Sequence, residues 1–143
     1  MITSAHAILI TKDFDLIMQR RDTKPGIYNS GKVGIYGGSC EGEETVLDCL
    51  HREIEEELCI NIYDENYNVS FYKKYTKTIE VHGQDAIVNL YLIYPVEVSN
   101  LKVMEGVGLV VGKNTDLLKE DLTVLAREIV EELSEETIAK ILI

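Results

Sequence analysis

Apolar residues recur along this chain with two different periods, and the switches between them divide it into elements. Thr3 to Thr11 (TSAHAILIT) is dense in β-branched and apolar residues, the DFD that follows reads as a turn, and Leu16 to Arg21 (LIMQRR) resumes the run. An N-terminal hairpin is predicted. From Glu44 to Leu58 the spacing lengthens, and Leu47, Leu50, Ile54 and Leu58 form one stripe of a helix. Val69 to His82 and Ala86 to Val96, joined by a turn at Gly83 to Asp85, read as two long strands of a second hairpin, with a further short strand at Val107 to Val111. Helical spacing returns at Leu122, Leu125, Ile129 and Leu133, which predicts a second amphipathic helix continued by Glu136 to Leu142.

Between the first hairpin and the first helix runs DTKPGIYNSGKVGIYGGSCEGEE, where Pro25, Gly26, Gly31, Gly34, Gly37, Gly38 and Gly42 crowd together. A long irregular loop is expected there, and loops of that length are more often functional than decorative. Strands and helices interleave, so the expected architecture is an α/β domain with helices packed on a mostly antiparallel or mixed sheet. At 143 residues the chain reads as one domain, 1–143, large enough to bury a core without disulfides.

Composition narrows the function. The formal net charge is −11, which disfavours binding to duplex nucleic acid or anionic lipid and suits cations, or an anionic substrate bridged by one. No apolar run approaches the roughly 20 residues of a membrane span, and MITSAHAILITKDFD lacks a basic leader, so a cytoplasmic location is expected. Cys40, Cys49 and Cys59 form no C-x-x-C pair and are odd in number; they read as reduced thiols.

The stretch REIEEEL, Arg52 to Leu58, is a repulsive cluster, and a near-copy, REIVEEL, runs from Arg127 to Leu133. On a helix, Glu53, Glu56 and Glu57 fall within about 100° of one another, beside the apolar stripe and hence at the rim of the core. Like charges at these spacings oppose each other, and glutamate in the last turn meets the wrong end of the helix dipole. A hard divalent cation, Mg²⁺ or Mn²⁺, would turn that repulsion into coordination. Taken alone, a solvated acidic face is the commoner explanation, and context separates the copies. YGGSCEGEE precedes Arg52, a glycine loop that lets backbone approach a ligand; GKNTDLLKEDLTVLA precedes Arg127. The Arg52 guanidinium is placed to fix a carboxylate by a two-pronged hydrogen bond, whereas Arg127 reads as a maker of ordinary surface pairs.

Gly38, five residues, Glu44, seven residues, then Arg52-Glu53-Ile54-x-Glu56-Glu57-x-Cys59-Ile60 resembles the Nudix box, G-x5-E-x7-R-E-U-x-E-E-x-G-U, in which U is a bulky aliphatic. Cys59 stands where the box has its last glycine, which closes the helix in a left-handed conformation that a Cβ disfavours; Asn61, which tolerates that conformation, is the expected substitute cap. The second copy does not fit, because Lys113 and Lys119 occupy the positions of the box glycine and glutamate. The resemblance implies an α/β/α sandwich with a mixed sheet between helices, and a Nudix hydrolase that uses Mg²⁺ or Mn²⁺ to cleave a diphosphate linkage in a nucleoside diphosphate joined to another moiety. Carried over by position, Glu53, Glu56 and Glu57 are the metal ligands with the Gly37 carbonyl as a further candidate, Arg52 orients the carboxylates, Glu44 supports them, and Glu53 is the candidate general base. A downstream acidic ligand is also common in the family, and Glu105 in VMEGVGLVV is favoured over Glu97.

Specificity lies outside the box. Arg20 and Arg21 are candidates for phosphate contacts, although adjacent strand residues face opposite ways; Tyr36 and Tyr28 are candidates for stacking on a base, against the commoner fate of packing. His6 and His82 are expected to be structural and His51 to lie on the surface. Nucleoside triphosphates are the first substrate class, followed by nucleotide sugars and dinucleoside polyphosphates. The alternatives are a Nudix-like module that binds nucleotide without turnover, favoured by loss of a box carboxylate, and an acidic adaptor, for which the glycine loop has no purpose. A homodimer is consistent with the family.

Overall fold

The computed structural model describes residues 2–24, 26, 30–79 and 84–142. Of the turn expected at Gly83 to Asp85, Gln84 and Asp85 belong instead to a strand, Gln84–Tyr94, and Gly83, with the candidates Tyr28 and His82, lies outside the described residues. The N-terminal hairpin forms as the alternation predicts, from β1 (Ile2–Ile10) and β2 (Leu16–Arg20). After it come β3 (Val33–Gly34), β4 (Tyr36–Ser39) and helix α1 (Val46–Leu58). The second hairpin pairs β5 (Asn68–Ile79) with β6 (Gln84–Tyr94), and β7 (Gly108–Gly112) follows. Three helices complete the chain: α2 (Asn114–Leu117), α3 (Val124–Glu132) and α4 (Glu135–Leu142).

The strands run in the order β3-β2-β1-β6-β5, with β4 also on β1 and β7 also on β2. β1 lies parallel to β6, and the other pairs are antiparallel, so the sheet is mixed. Side-chain alternation sorts β1 into two faces. Ile8 and Ile10 join Leu16, Met18, Ile129, Leu133 and Ile138 in a core under α3 and α4. Ala5, Ala7 and Leu9 join Ile17, Leu50, Ile54 and Leu58 in a core under α1. Helices thus cover both faces, giving the α/β/α sandwich, and the small residues Ala5 and Ala7 let α1 and the β4 loop lie close to the sheet.

The C-terminal helix expected as one element is two. Leu133 leaves helical geometry at φ −93°, ψ 64°, and Ser134 restarts the helix, its hydroxyl accepting from the Thr137 N–H at 3.1 Å. That is a helix N-cap, and the break lets Leu133 and Ile138 both reach the same core. α1 also ends differently from expectation. Cys59 itself takes the left-handed conformation, φ 59°, ψ 36°, and its N–H bonds the Glu55 carbonyl. Asn61 instead accepts from the Tyr63 N–H at 2.9 Å.

Candidate active site

Two consecutive glycines let the chain pass between β1 and α1. At Gly37, φ +131°, an added Cβ would fall on the Ala5 carbonyl and 2.6 Å from the His6 Cα; at Gly38 it would fall 2.6 Å from the Glu53 carboxylate. Only glycine fits at Gly37, where the clash is with backbone, and at Gly38 a side chain would displace the Glu53 carboxylate, so the backbone lies directly against the acidic side chains of α1. The helix begins at Thr45, whose side chain accepts from the Asp48 N–H at 3.1 Å, which sets Arg52, Glu53, Glu56 and Glu57 in register with that loop.

Arg52 organises the cluster. Its Nε and Nη2 grip the two oxygens of Glu44 at 2.8 and 2.9 Å, Nη1 reaches Glu53 at 3.0 Å and Glu56 at 3.5 Å, and Nη2 also donates to the Ser39 carbonyl at 3.1 Å. A planar guanidinium has the fork geometry for this division of labour and an ammonium does not. The Arg52 hydrogen bonds, helped by the Glu41 N–H, hold the Glu44 carboxyl down at about 2.

Glu57 lies deeper than its expected place at the rim. It is buried, 2% exposed, and its Oε1 accepts the Gly37 N–H at 3.0 Å. Burial pushes its pKa up to about 8 against that hydrogen bond, and the charges of Glu105 and Glu53 push the same way. Glu53 is also raised, by burial first, with Arg52 opposing and Glu56 and Glu105 adding to the rise. Glu53 and Glu57 therefore both feel the charge of Glu105. Glu56 is exposed beside them, while Glu97 is exposed at the start of a 3-10 turn, Val98–Asn100, and belongs to no part of this network.

Among the described residues no three or more acidic, histidine or cysteine side chains stand close enough together, as placed, to hold a metal ion. The donors present nevertheless fit a hard divalent cation: they are carboxylate oxygens, crowded and partly desolvated, and they oppose one another's ionisation.

The other candidates separate. Alternation along β2 turns Arg20 toward the segment between α2 and α3, where it bonds Glu120 at 3.2 Å, and it also reaches the Gly31 carbonyl at 3.3 Å; the structure gives it these protein partners on the face of the sheet away from α1. Arg21 points the other way and lines a small open cavity with Gln19, Asp22, Glu105 and Gly106. Tyr36 is fully buried in the core under α1, so its ring packs and is not offered for stacking, because the β4 strand directs it beneath the loop it was expected to flank. The His6 Nδ1 is buried as well, and burial lowers its pKa to about 4. His51 is half-buried on α1 and stacks at 4.9 Å against Tyr63.

Two features were not foreseen. Cys40 and Cys49 form a disulfide with Cα atoms 5.2 Å apart, leaving Cys59 as the free thiol; the expectation of three reduced thiols is corrected, since an odd count is also one pair and one remainder. The bond ties the end of the glycine loop to α1 just before Arg52. Gln19 is the other, a buried amide at 4% exposure whose signal was a polar residue closing the apolar run LIMQ.

No helix among the described residues is long and apolar enough to cross a membrane. The fold recurs in solved structures. A MutT NUDIX hydrolase from Burkholderia pseudomallei superposes with a TM-score of 0.71 at 19% identity, over 93% of this chain and 98% of that one. A MutT protein from Methanosarcina mazei Go1 gives 0.75 at 20%, over 91% and 90%, and the dihydroneopterin triphosphate pyrophosphohydrolase of E. coli gives 0.76 at 16%, over 94% and 95%. At these identities the likeness speaks for the fold alone. No curated protein sequence matches the chain. The NUDIX domain profile does, over residues 1–106, a span that contains the glycine loop, α1 and Glu105, and this chain belongs to the NUDIX domain family.

Proposed function

We propose that this Nudix enzyme is a single-domain, metal-dependent pyrophosphohydrolase that cleaves a diphosphate linkage in a nucleoside diphosphate derivative, with nucleoside triphosphates as the first substrate class. The observation that carries the reading is the convergence of Glu53 and Glu57 on the Gly37–Gly38 backbone, with Glu105 within electrostatic reach and Arg52 and Glu44 bracing the cluster. Glu53, Glu56, Glu57, Glu105 and the Gly37 carbonyl would hold Mg²⁺ or Mn²⁺. Such a cation, when bound, neutralises phosphate charge and makes water more acidic.

The residues divide the remaining work. Glu53, whose pKa burial raises, is a stronger proton acceptor than a solvated carboxylate and is the candidate to take a proton from water. Arg52 keeps that carboxylate pointed at the loop by its 3.0 Å bond while Glu44 holds the guanidinium in place. The glycines let the loop backbone seat directly against β1 and the Glu53 carboxylate, where a side chain would collide. Arg21, which lines a small cavity with Glu105, is the candidate phosphate contact on the β2 side. One solved neighbour is a dihydroneopterin triphosphate pyrophosphohydrolase, and a triphosphate substrate is in keeping with that likeness.

The test is release of pyrophosphate or phosphate from nucleoside triphosphates, nucleotide sugars and dinucleoside polyphosphates, with and without Mg²⁺ and Mn²⁺. Metal-dependent pyrophosphate release from triphosphates is expected. Turnover confined to nucleotide sugars or dinucleoside polyphosphates would replace the substrate class, and metal binding without any turnover would replace the enzyme with a binding module.

A further inference from the structure

The segment that carries Glu105 is held by its backbone at both ends. The Lys102 and Met104 N–H groups donate to the Leu58 and Glu57 carbonyls at 3.1 and 2.9 Å, which ties the segment to the end of α1, and the Val107 N–H donates to the Arg20 carbonyl at 3.0 Å, which ties it to β2. Glu105 sits between these anchors. Its own carbonyl is held by a side chain, the Nε2 of Gln19, at 3.3 Å.

Gln19 is an unusual occupant of its position. Leu16, Ile17, Met18 and Gln19 are all buried, and alternation places Gln19 with Ile17 on the α1 side of the sheet. An apolar residue would serve packing there, whereas a buried amide carries a desolvation penalty that hydrogen bonding must offset. Gly106 completes the arrangement: at φ +79° its missing Cβ would lie 2.7 Å from the Arg20 carbonyl and 3.1 Å from the Cγ and Nε2 of Gln19. The turn after Glu105 is therefore seated on the glutamine amide, and the Met104 N–H bond to the Glu57 carbonyl sets Glu105 beside the end of α1, within electrostatic reach of Glu53 and Glu57.

We propose that Gln19 is a positioning residue for the metal-dependent reaction, fixing through the Glu105 carbonyl the direction from which the Glu105 carboxylate meets the carboxylates of α1. The inference rests on Glu105 as a metal ligand. It assigns to β2 a part in metal binding that the Nudix box does not contain.

The experiment is a titration of Mn²⁺ into the substrate-free protein, with the thermal midpoint in chelator as control, for Gln19→Met, Glu105→Gln and the double variant. Gln19→Met keeps the side-chain length, and its Mn²⁺ affinity is expected to fall about tenfold, as for loss of an outer hydrogen bond to a ligand, with little change in midpoint. In the Glu105→Gln background the same change is expected to have no further effect on Mn²⁺, because its route is already cut. Equal losses in both backgrounds, or an unchanged affinity for Gln19→Met beside a weakened Glu105→Gln, would overturn the proposal. An unchanged affinity for Glu105→Gln alone would instead remove Glu105 from the ligand set. Should Gln19→Met not fold, Gly106→Ala disturbs the same seat from the other side, and its effect on Mn²⁺ is expected to vanish likewise in the Glu105→Gln background; persistence there would count against the proposal.

Discussion

Arg52 to Leu58 on α1 and Arg127 to Leu133 on α3 share a seven-residue pattern, yet their surroundings give the same side chains opposite properties. Glu57 and Glu132 occupy the same place in the pattern. Glu57 is buried beside Glu53 and Glu105, and its pKa rises to about 8. Glu132 accepts from Tyr72 at 2.7 Å, Lys73 at 3.1 Å and Tyr75 at 3.3 Å, and these partners hold its pKa below the usual carboxylate value against partial burial. Glu53 faces a glycine loop, and its counterpart Glu128 faces Lys77. Arg52 spends most of its donors on carboxylates, while Arg127 donates to the Leu118 and Glu120 carbonyls at 3.3 and 3.1 Å, capping the chain ahead of α3 and making, among the described residues, none of the surface pairs expected of it. The first copy gathers like charges, and the second fastens α3 to β5 with opposite ones. A motif of charges acquires chemistry from what the neighbouring strand brings to it.

The sharpest way to break this comparison is to neutralise equivalent positions. Glu53→Gln or Glu57→Gln is expected to lower metal-dependent turnover by about a hundredfold or more, and Glu57→Gln should also raise the thermal midpoint of the metal-free protein, because a buried, mutually repelled carboxylate is removed. Glu128→Gln and Glu132→Gln should leave turnover within a factor of about two, and Glu132→Gln should cost about 1–2 kcal/mol of stability through its charged hydrogen bonds. Steady-state rates and thermal melts on the four variants decide it. Comparable loss of turnover in both pairs would show that the copies do not divide the roles in this way.

The copies differ next in how their helices are fixed, and this difference marks the limit of what the sequence discloses. Three residues before Arg52 stands Cys49, bonded to Cys40 and fully buried; three before Arg127 stands Val124, 80% exposed. The periodicity of Leu50, Ile54 and Leu58 reveals α1, and the spacing from Gly38 to Ile60 reveals its chemistry, because both are local. The cysteine pairing depends on the path of the glycine loop, the burial of Glu57 on the seat of Gly37 over it, and the partner of Arg20 on a residue a hundred positions away. None of these is periodic. The break at Ser134 was closer to legible, since a serine followed by Glu135 and Glu136 is a helix-start signature inside an apparently continuous stripe. Reduction of the disulfide, or Cys40→Ser, is expected to lower stability by about 2 kcal/mol, from the entropy of closing so short a loop, and to weaken Mn²⁺ binding, because the Ser39 carbonyl that receives Arg52 adjoins the bond. A thiol titration alongside the melt checks it; a midpoint insensitive to reductant would mean that the loop is held by its backbone bonds alone.

The smallest effect separates the copies by sign. A group whose folded pKa is raised stabilises the fold fully below its unfolded value and loses that contribution as pH climbs through the folded value. Glu57, at 4.5 unfolded and about 8 folded, should therefore make the metal-free protein less stable as pH rises across that interval. Glu132, lowered from 4.5, acts oppositely: its contribution is present above 4.5 and disappears as pH falls through its folded value. His6 complicates the middle, because its pKa drops from 6.5 to about 4 and its burial as the neutral form adds stability as pH rises between those values. The Glu57 slope is thus read most cleanly between pH 6.5 and 8, in chelator, as a falling thermal midpoint that Glu57→Gln flattens and Glu132→Gln leaves intact. Below pH 4.5 the order should reverse, with Glu132→Gln softening the acid loss. If Mg²⁺ occupies the α1 cluster, it holds those carboxylates ionised and its stabilisation should be larger at pH 8 than at pH 6.5. A falling limb that survives in Glu57→Gln would place the buried charge elsewhere in the molecule.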